Sequence, residues 1–329
     1  MSGLLRAELM RVRARSAVWG TAVVLVVAAL GFVVAAWDDT RPPSAAQVAE
    51  AHEQLALATQ VWEHLHELRE QECADGSADG AADGTAVESS CEPLGPPPLL
   101  DEFIPYRPGL VETLEVRYEP MAVVVVLGLL VMGVTLVTAD FGSGAMGTWL
   151  TFAPRRGRVL VSRVVASLAA AVPVALGALG TGLVGVVVVV AVNGATGDAS
   201  GAVPLVALAT ARALAAGLWA TAVGVGLAFA LRVGAGVAGL VVWWVAACET
   251  ALPLIVPVTR PMTLGTNLRA WLDGGTTYVV DECVDLPTET VCAPVEHVVG
   301  WTQGGGVLLV VALVVVGLGA LSFRVRDVA

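Results

Sequence analysis

The sequence predicts an all-α integral membrane protein, and three observations carry that expectation. Of 329 residues, 56% are hydrophobic and only 14% charged, where a soluble protein carries nearer a quarter charged residues. The mean hydropathy is +0.77. The apolar residues also fall in blocks long enough to span a bilayer, and the segments between them sort by charge, arginine to one side and acids to the other.

Apolar runs near the length of a spanning helix give six crossings, at 17–37, 121–138, 159–192, 203–231, 234–256 and 304–323. The third is oversized, with about 50 Å of helix against a hydrocarbon core of about 30 Å. We read it as one crossing that begins below the membrane and bends near Pro173. A re-entrant hairpin is the competing reading, and it reverses everything after it. Charge decides between them. Segments 1–16, 139–163, 232–233 and 324–329 hold 11 Arg against three acids, Glu8, Asp140 and Asp327, while the remaining loops hold six Arg against 25 acids. Short cytoplasmic loops retain arginine, and a hairpin puts Arg324 and Arg326 outside. Both termini are therefore expected in the cytoplasm of a multi-pass protein of the cell membrane.

The first apolar run is too long for the core of a signal peptide and lacks a separate small-residue cleavage site, so it reads as an uncleaved first crossing. Before it, in 1–16, Leu4, Leu5, Leu9, Met10 and Val12 can lie on lipid while Arg6, Arg11, Arg13 and Arg15 face phosphates. That makes an interfacial elbow helix; a simple basic flank reads equally well.

All 18 basic residues are Arg. Without lysine the chain has no Walker A loop, whose Lys reaches the phosphates, and no Schiff-base chemistry. If ATP drives its work, another polypeptide binds it.

Residues 38–120 form a large outer segment. Within it, 44–72 has helical composition, with Leu55, Trp62, Leu65 and Leu68 as a candidate buried stripe. Segment 74–90 reads as a flexible acidic loop, since its Asp-Gly pairs do not fit an EF-hand spacing. Four of the five cysteines are in outer segments, where disulfides are permitted. The simplest pairing is Cys73–Cys91 and Cys283–Cys292, although four cysteines allow three connectivities; closing the first loop is worth about 3 kcal/mol on the chain-entropy argument. Cys248, inside the fifth crossing, reads as a small packing residue. All four His lie outside. His64 and His66 are two apart and point away from each other on a helix, which disfavours a metal site, and no intramembrane His is available as a hydrolytic base. Gly142-Ser143-Gly144 has no partner base either.

The segment between the second and third crossings, 139–158, carries the most information. Asp140 is followed by small residues, a short apolar helix with Trp149, Leu150 and Phe152, and then Pro154-Arg155-Arg156-Gly157-Arg158. Taken alone this is a short helix at the cytoplasmic surface flanked by arginines. Here the chain resembles the ABC type-2 permease family of bacteria, whose members carry an acid, a Gly-Thr stretch and a Pro-Arg-Arg turn leading into the third crossing. The pattern falls on Asp140, Gly147-Thr148 and Pro154–Arg156, with Arg163 where the family often has Lys and Asp140 where Glu is commoner. The order of features extends the likeness over nearly the whole chain: the Arg-rich elbow, the large first outer loop, Glu249 in the fifth crossing and the closing Phe323-Arg-Val-Arg. The resemblance implies that 139–158 is a coupling helix docking on a separate ATPase subunit, through Asp140, Thr148, Trp149, Phe152, Pro154, Arg155, Arg156 and Arg158. It further implies ATP and Mg²⁺ on that partner, no cofactor in this chain, a second permease copy or paralogue, and a re-entrant segment in 257–303 centred on 264–272, with Pro253 and Pro257 interrupting the preceding helix. Nucleic acid is not an expected partner.

Two ionisable residues lie within crossings, and such residues are functional hypotheses. Arg212 and Glu249 fall about 12 Å below the outer ends of the fourth and fifth crossings, and matched depth suggests an ion pair, either a structural clamp or an outer gate. Trp243 and Trp244 sit deep in the fifth crossing, as cavity lining or as packing, and the small residues of 207–226 permit close helix approach. The expected function is the permease subunit of an ATP-driven exporter, with no covalent chemistry of its own. Alternatives are an ion-coupled secondary transporter, for which two similar halves and midplane charges are wanting, a membrane enzyme, which lacks a base, and a sensory or scaffold protein acting through its outer segment.

Overall fold

The structure, a computed structural model, describes residues 2–83, 95–152, 155–285 and 290–326. The chain divides into two compact units, Asp39–Pro108 and Met1–Asp38 with Gly109–Ala329.

Among the described residues six helices are long and apolar enough to cross a membrane, the architecture of a multi-pass membrane protein. They are α2 (Ser16–Thr40), α4 (Leu110–Gly142), α6 (Arg156–Val192), α7 (Ala202–Leu231), the composite helix Gly234–Ile255 and α11 (Trp301–Val325). The composite helix comprises α8 (Gly234–Trp244), a π-helical stretch Val245–Ala251 and α9 (Leu252–Ile255). Shorter helices are α1 (Ser2–Arg13), α5 (Ala145–Phe152) and α10 (Leu264–Asp273), and α3 (Ala45–Asp83) belongs to the smaller unit. The third crossing is one continuous helix through Pro173, not a hairpin.

The centre of the larger unit is α7, packed between α4 and α11. Its small residues set the spacing. A Cβ on Gly224 would lie 2.4 Å from the Leu130 carbonyl oxygen of α4, and one on Gly133 of α4 would lie 2.5 Å from the Thr221 oxygen of α7. These backbones touch because neither carries a side chain there, as expected from the glycines and alanines of 207–226. Around this contact Leu129, Met132, Ala213, Ala216 and Ala220 form the main core. A second core lies at the arginine-rich end, where Val137, Met146, Val159, Phe229 and Phe323 meet.

Three features differ from the sequence reading. Helix α4 begins at Leu110, so the segment expected over 38–120 ends near Pro108; the charged residues Glu112, Glu115, Arg117 and Glu119 extend a helix whose apolar run begins later. Helix α3 continues past 72 to Asp83, into the segment expected to be a loop, while Leu65 and Leu68 of its candidate stripe are exposed and Leu55 and Trp62 are half-buried. It starts where Ser44 and Gln47 cap each other: the Ser44 N–H donates to Gln47 Oε1 at 2.9 Å and the Gln47 N–H to Ser44 Oγ at 3.3 Å, a capping box. The third difference is a β-hairpin within 257–303, with β1 (Gly275–Asp285) antiparallel to β2 (Thr290–Gly300). Its strands are rich in Val and Thr, residues that fit a pleated surface. Cys283 and Cys292 are directly opposed in its register and disulfide-bonded, as expected. Cys73 is also disulfide-bonded; Cys91, its expected partner, lies outside the described residues.

Gly224→Ala is expected to lower stability by about 1–3 kcal/mol through overpacking. Gly236→Ala, where an added Cβ meets nothing within 4 Å, is expected to leave it unchanged or slightly raised. Thermal unfolding of the two variants in detergent micelles checks the contrast, and equal midpoints contradict it.

Candidate functional site

The candidate coupling segment is built on a buried ion cluster. Asp140, in the last turn of α4, has no exposed surface. Its Oδ1 accepts from Arg11 Nη2 at 2.6 Å and from Arg15 Nη2, and its Oδ2 lies 2.5 Å from Arg163 Nη1. Arg163, 3% exposed on α6, also places Nε 3.2 Å from Oε1 of Glu8, which is fully buried on α1. Two carboxylates thus face three guanidinium groups. Arg15 offsets part of the excess by donating Nη1 to the Leu136 carbonyl at 2.7 Å, near the C-terminal end of α4, where the helix dipole is negative. Burial, and then the neighbouring charges of Arg11 and Arg163, pull the Arg15 guanidinium down to about 10 against the opposing pull of Glu8; it remains a cation at neutral pH.

Helix α5 lies over this cluster. The Trp149 ring has the guanidinium carbons of Arg11 and Arg163 5.8 and 5.9 Å from its centroid, within the range of cation–π attraction. Met146, on the same helix, is fully buried in the second core. The eight candidate coupling residues therefore separate. Asp140 is internal and holds α1, α4 and α6 together. Trp149 is half-buried against the cluster. Thr148, Arg155 and Arg158 are exposed. Arg156 is turned toward the end of α11, its Nη1 donating to the Arg326 carbonyl at 2.8 Å. Pro154 lies outside the described residues, as does the Phe152 side chain.

In 1–16, Arg11 of α1 and Arg15 between α1 and α2, expected to face lipid phosphates, turn instead to Asp140. Arg6 and Arg13 are exposed, with Leu9 and Met10 also exposed and Val12 buried. Glu8, an acid within the basic flank, is buried beside Arg163. Its signal was available, since it and Asp140 stand almost alone as acids among the arginines of that end.

The second candidate site is at α10. Glu249 and Arg212 do not pair with each other. The Glu249 carboxylate accepts from the backbone N–H groups of Leu264 and Gly265, both at 2.8 Å, and from Trp244 Nε1 at 2.9 Å. It caps the positive N-terminus of α10. Arg212 lies at the other end: a Cβ on Gly274, which ends α10 with φ of 87°, would sit 2.5 Å from Arg212 Nη1. The Arg212 carbonyl accepts from Trp271 Nε1 at 3.0 Å. The two charges expected to neutralise each other are separated by the length of α10, about 15 Å at the α-helical rise, and each complements the dipole end it meets. Depth along the sequence could not reveal this, because it ignores the chain that folds back between.

Near the C-terminal end of α10, Arg269 Nε donates to Glu119 Oε1 of α4 at 2.6 Å. Partial burial and the Glu119 charge push the Asp273 carboxyl up to about 6, against the pull of Arg269 and Arg212. Trp243 and Trp244 are 58% and 43% exposed on the surface of the fifth span rather than around a cavity within the chain. Cys248 is a free, half-buried thiol in the π-helical stretch. Among the described residues no group of His, Cys, Asp or Glu is arranged to hold a metal.

Comparison with known protein families, curated proteins and solved structures finds no match to this chain.

Asp140→Asn removes a charge that three guanidinium groups share, and breaking a buried ion pair from one side costs about 3–5 kcal/mol. A large fall in the thermal midpoint of the purified protein is expected, while Ser143→Ala, nearby but exposed, changes little. An Asp140→Asn protein that unfolds with the wild type contradicts the cluster's role.

Proposed function

We propose that this chain is the membrane-spanning permease subunit of an ATP-binding-cassette exporter. Its arginine-rich end faces the cytoplasm, α1 is the interfacial elbow, and α5 is the coupling helix that meets a separate nucleotide-binding subunit. ATP and Mg²⁺ belong to that partner. Helix α10 is a re-entrant helix on the outer side, and a second permease copy or paralogue completes the transport path. The fifth span, which buries none of its most apolar window within the chain, offers a surface for that second copy.

The observation that carries this reading is the arrangement around α5. Its inward side is fixed by Met146 and by Trp149 over the Asp140 cluster, while Thr148 on α5 and Arg155 and Arg158 at the start of α6 are exposed. A short helix used to receive force needs that division, rigid behind and accessible in front. A bare interfacial loop has no need of a buried carboxylate held by three other side chains, since each buried charge carries a large desolvation cost. The charge asymmetry along the chain supports the orientation, and the absence of lysine, which leaves no Walker A loop in this sequence, supports nucleotide binding by a separate subunit.

A photo-crosslinking amino acid at position 148 tests the reading in cells. The expected adduct is a soluble ATPase that also copurifies with the permease. A contrary result is an adduct with lipid alone, or a purified permease that brings no nucleotide-hydrolysing subunit.

A further inference from the structure

Arg156 opens α6, and a cation in the first turn of a helix opposes the helix dipole. The side chain does not remain there. Its Nη1 donates to the carbonyl oxygens of Phe323, Arg324 and Arg326 at 3.1, 3.2 and 2.8 Å. These carbonyls end α11, where acceptors lack partners within the helix and the dipole is negative. One guanidinium thus leaves an unfavourable helix end to cap a favourable one. The first turn of α6 follows it closely: a Cβ on Gly157 would lie 3.7 Å from Arg324 Nη2.

A second guanidinium reaches the same place. Arg232, between α7 and α8, donates Nη2 to the Arg326 carbonyl at 3.2 Å. It is the one non-glycine residue with positive φ among the described residues, at 65°, a backbone conformation that side chains disfavour. There its guanidinium sits 5.4 Å from the Phe141 ring centroid. Phe141, Phe229 and Phe323 pack edge to face, with centroids 4.9 to 6.4 Å apart. Neighbouring residues therefore contact different helices. Asp140 belongs with α1 and α6, and Phe141 with α7 and α11. Helix α5 hangs between that junction and Arg156, and from the end of α5 to Arg156 the chain can extend at most about 14 Å.

We infer that Arg156 is a positioning residue that ties α5 to the end of α11, so that a displacement of α5 is delivered to the sixth span. The two arginines of the Pro-Arg-Arg sequence then have divided duties: Arg155 is exposed and Arg156 faces the protein's own last helix. This inference rests on the permease reading, because it takes the partner ATPase as the source of the displacement.

The test uses the full permease in complex with its copurifying ATPase in lipid nanodiscs, in a Cys248→Ala background. Spin labels are placed at Thr151→Cys on α5 or Val325→Cys on α11, each paired with a reference label at Ala199→Cys. Distances are measured without nucleotide and with ATP plus vanadate. In the wild-type background both distances are expected to shift. With Arg156→Ala the α5 distance still shifts and the α11 distance stays still, and Arg156→Lys, which keeps a single donor head, restores part of the α11 shift. If α11 shifts fully in Arg156→Ala, the inference is overturned and the permease reading survives. If α5 stays still in the wild-type background, the docking reading fails and takes the inference with it. Should Arg156→Ala not assemble, Arg232→Ala is read the same way, with a reduced α11 shift expected and an unchanged one contradicting the clamp.

Discussion

One carboxylate organises the arginine-rich end of this molecule. Asp140 has no exposed surface, and guanidinium groups from the last turn of α1, from the link between α1 and α2 and from the third span converge on it. In water such contacts contribute little. Away from water each charge is costly unless partnered, and the cost of removing one partner is large. The cluster therefore specifies an arrangement more than it adds stability: with α1 folded against α6 and the end of α4, Glu8, Arg163 and Asp140 each have an opposite charge within ion-pair distance. Helix α5, with Trp149 over two of the same guanidinium groups, inherits that position.

The two ends of the larger unit handle charge by different means. At the arginine-rich end, side chains neutralise side chains. At α10, side chains neutralise a helix: Glu249 meets the N-terminal N–H groups, and Arg212 lies against the residue that ends the helix. The fifth span adopts a π-helical stretch around Glu249, the kind of local distortion that re-aims a side chain within a helix. Between these ends α7 is held against α4 and α11 by backbone contact at glycines, so the helices meet closely over much of their length.

Much of this was legible in sequence. Long apolar runs marked every spanning helix, because hydrophobic length is a direct reading of bilayer thickness. The opposed cysteines at 283 and 292 and the small residues of α7 were also readable. What escaped was either three-dimensional or masked by composition. The pairing of Arg212 with Glu249 was inferred from equal depth, yet α10 folds back between them. Glu8 looked like one more charge in a basic flank, although an acid among arginines near a membrane boundary is itself a signal. The hairpin lies inside a region that the family resemblance assigns to a re-entrant segment, and its sequence signal is the β-branched residues of 275–280 and 295–299. In the smaller unit, Ala-rich composition with scattered Gly and Asp suggests a loop where the helix continues to Asp83.

A receptive α5 makes sense only if an intracellular partner can reach it. The most direct measurement is labelling of Ser143→Cys, an exposed position at the turn into α5, with a membrane-impermeant maleimide in a Cys248→Ala background. Ala199→Cys, at the opposite end, serves as the outer control. Labelling of position 143 only after the cells are opened, with position 199 labelled beforehand, is the predicted outcome. Labelling of position 143 on intact cells places the basic surface outside and contradicts docking to any nucleotide-driven subunit.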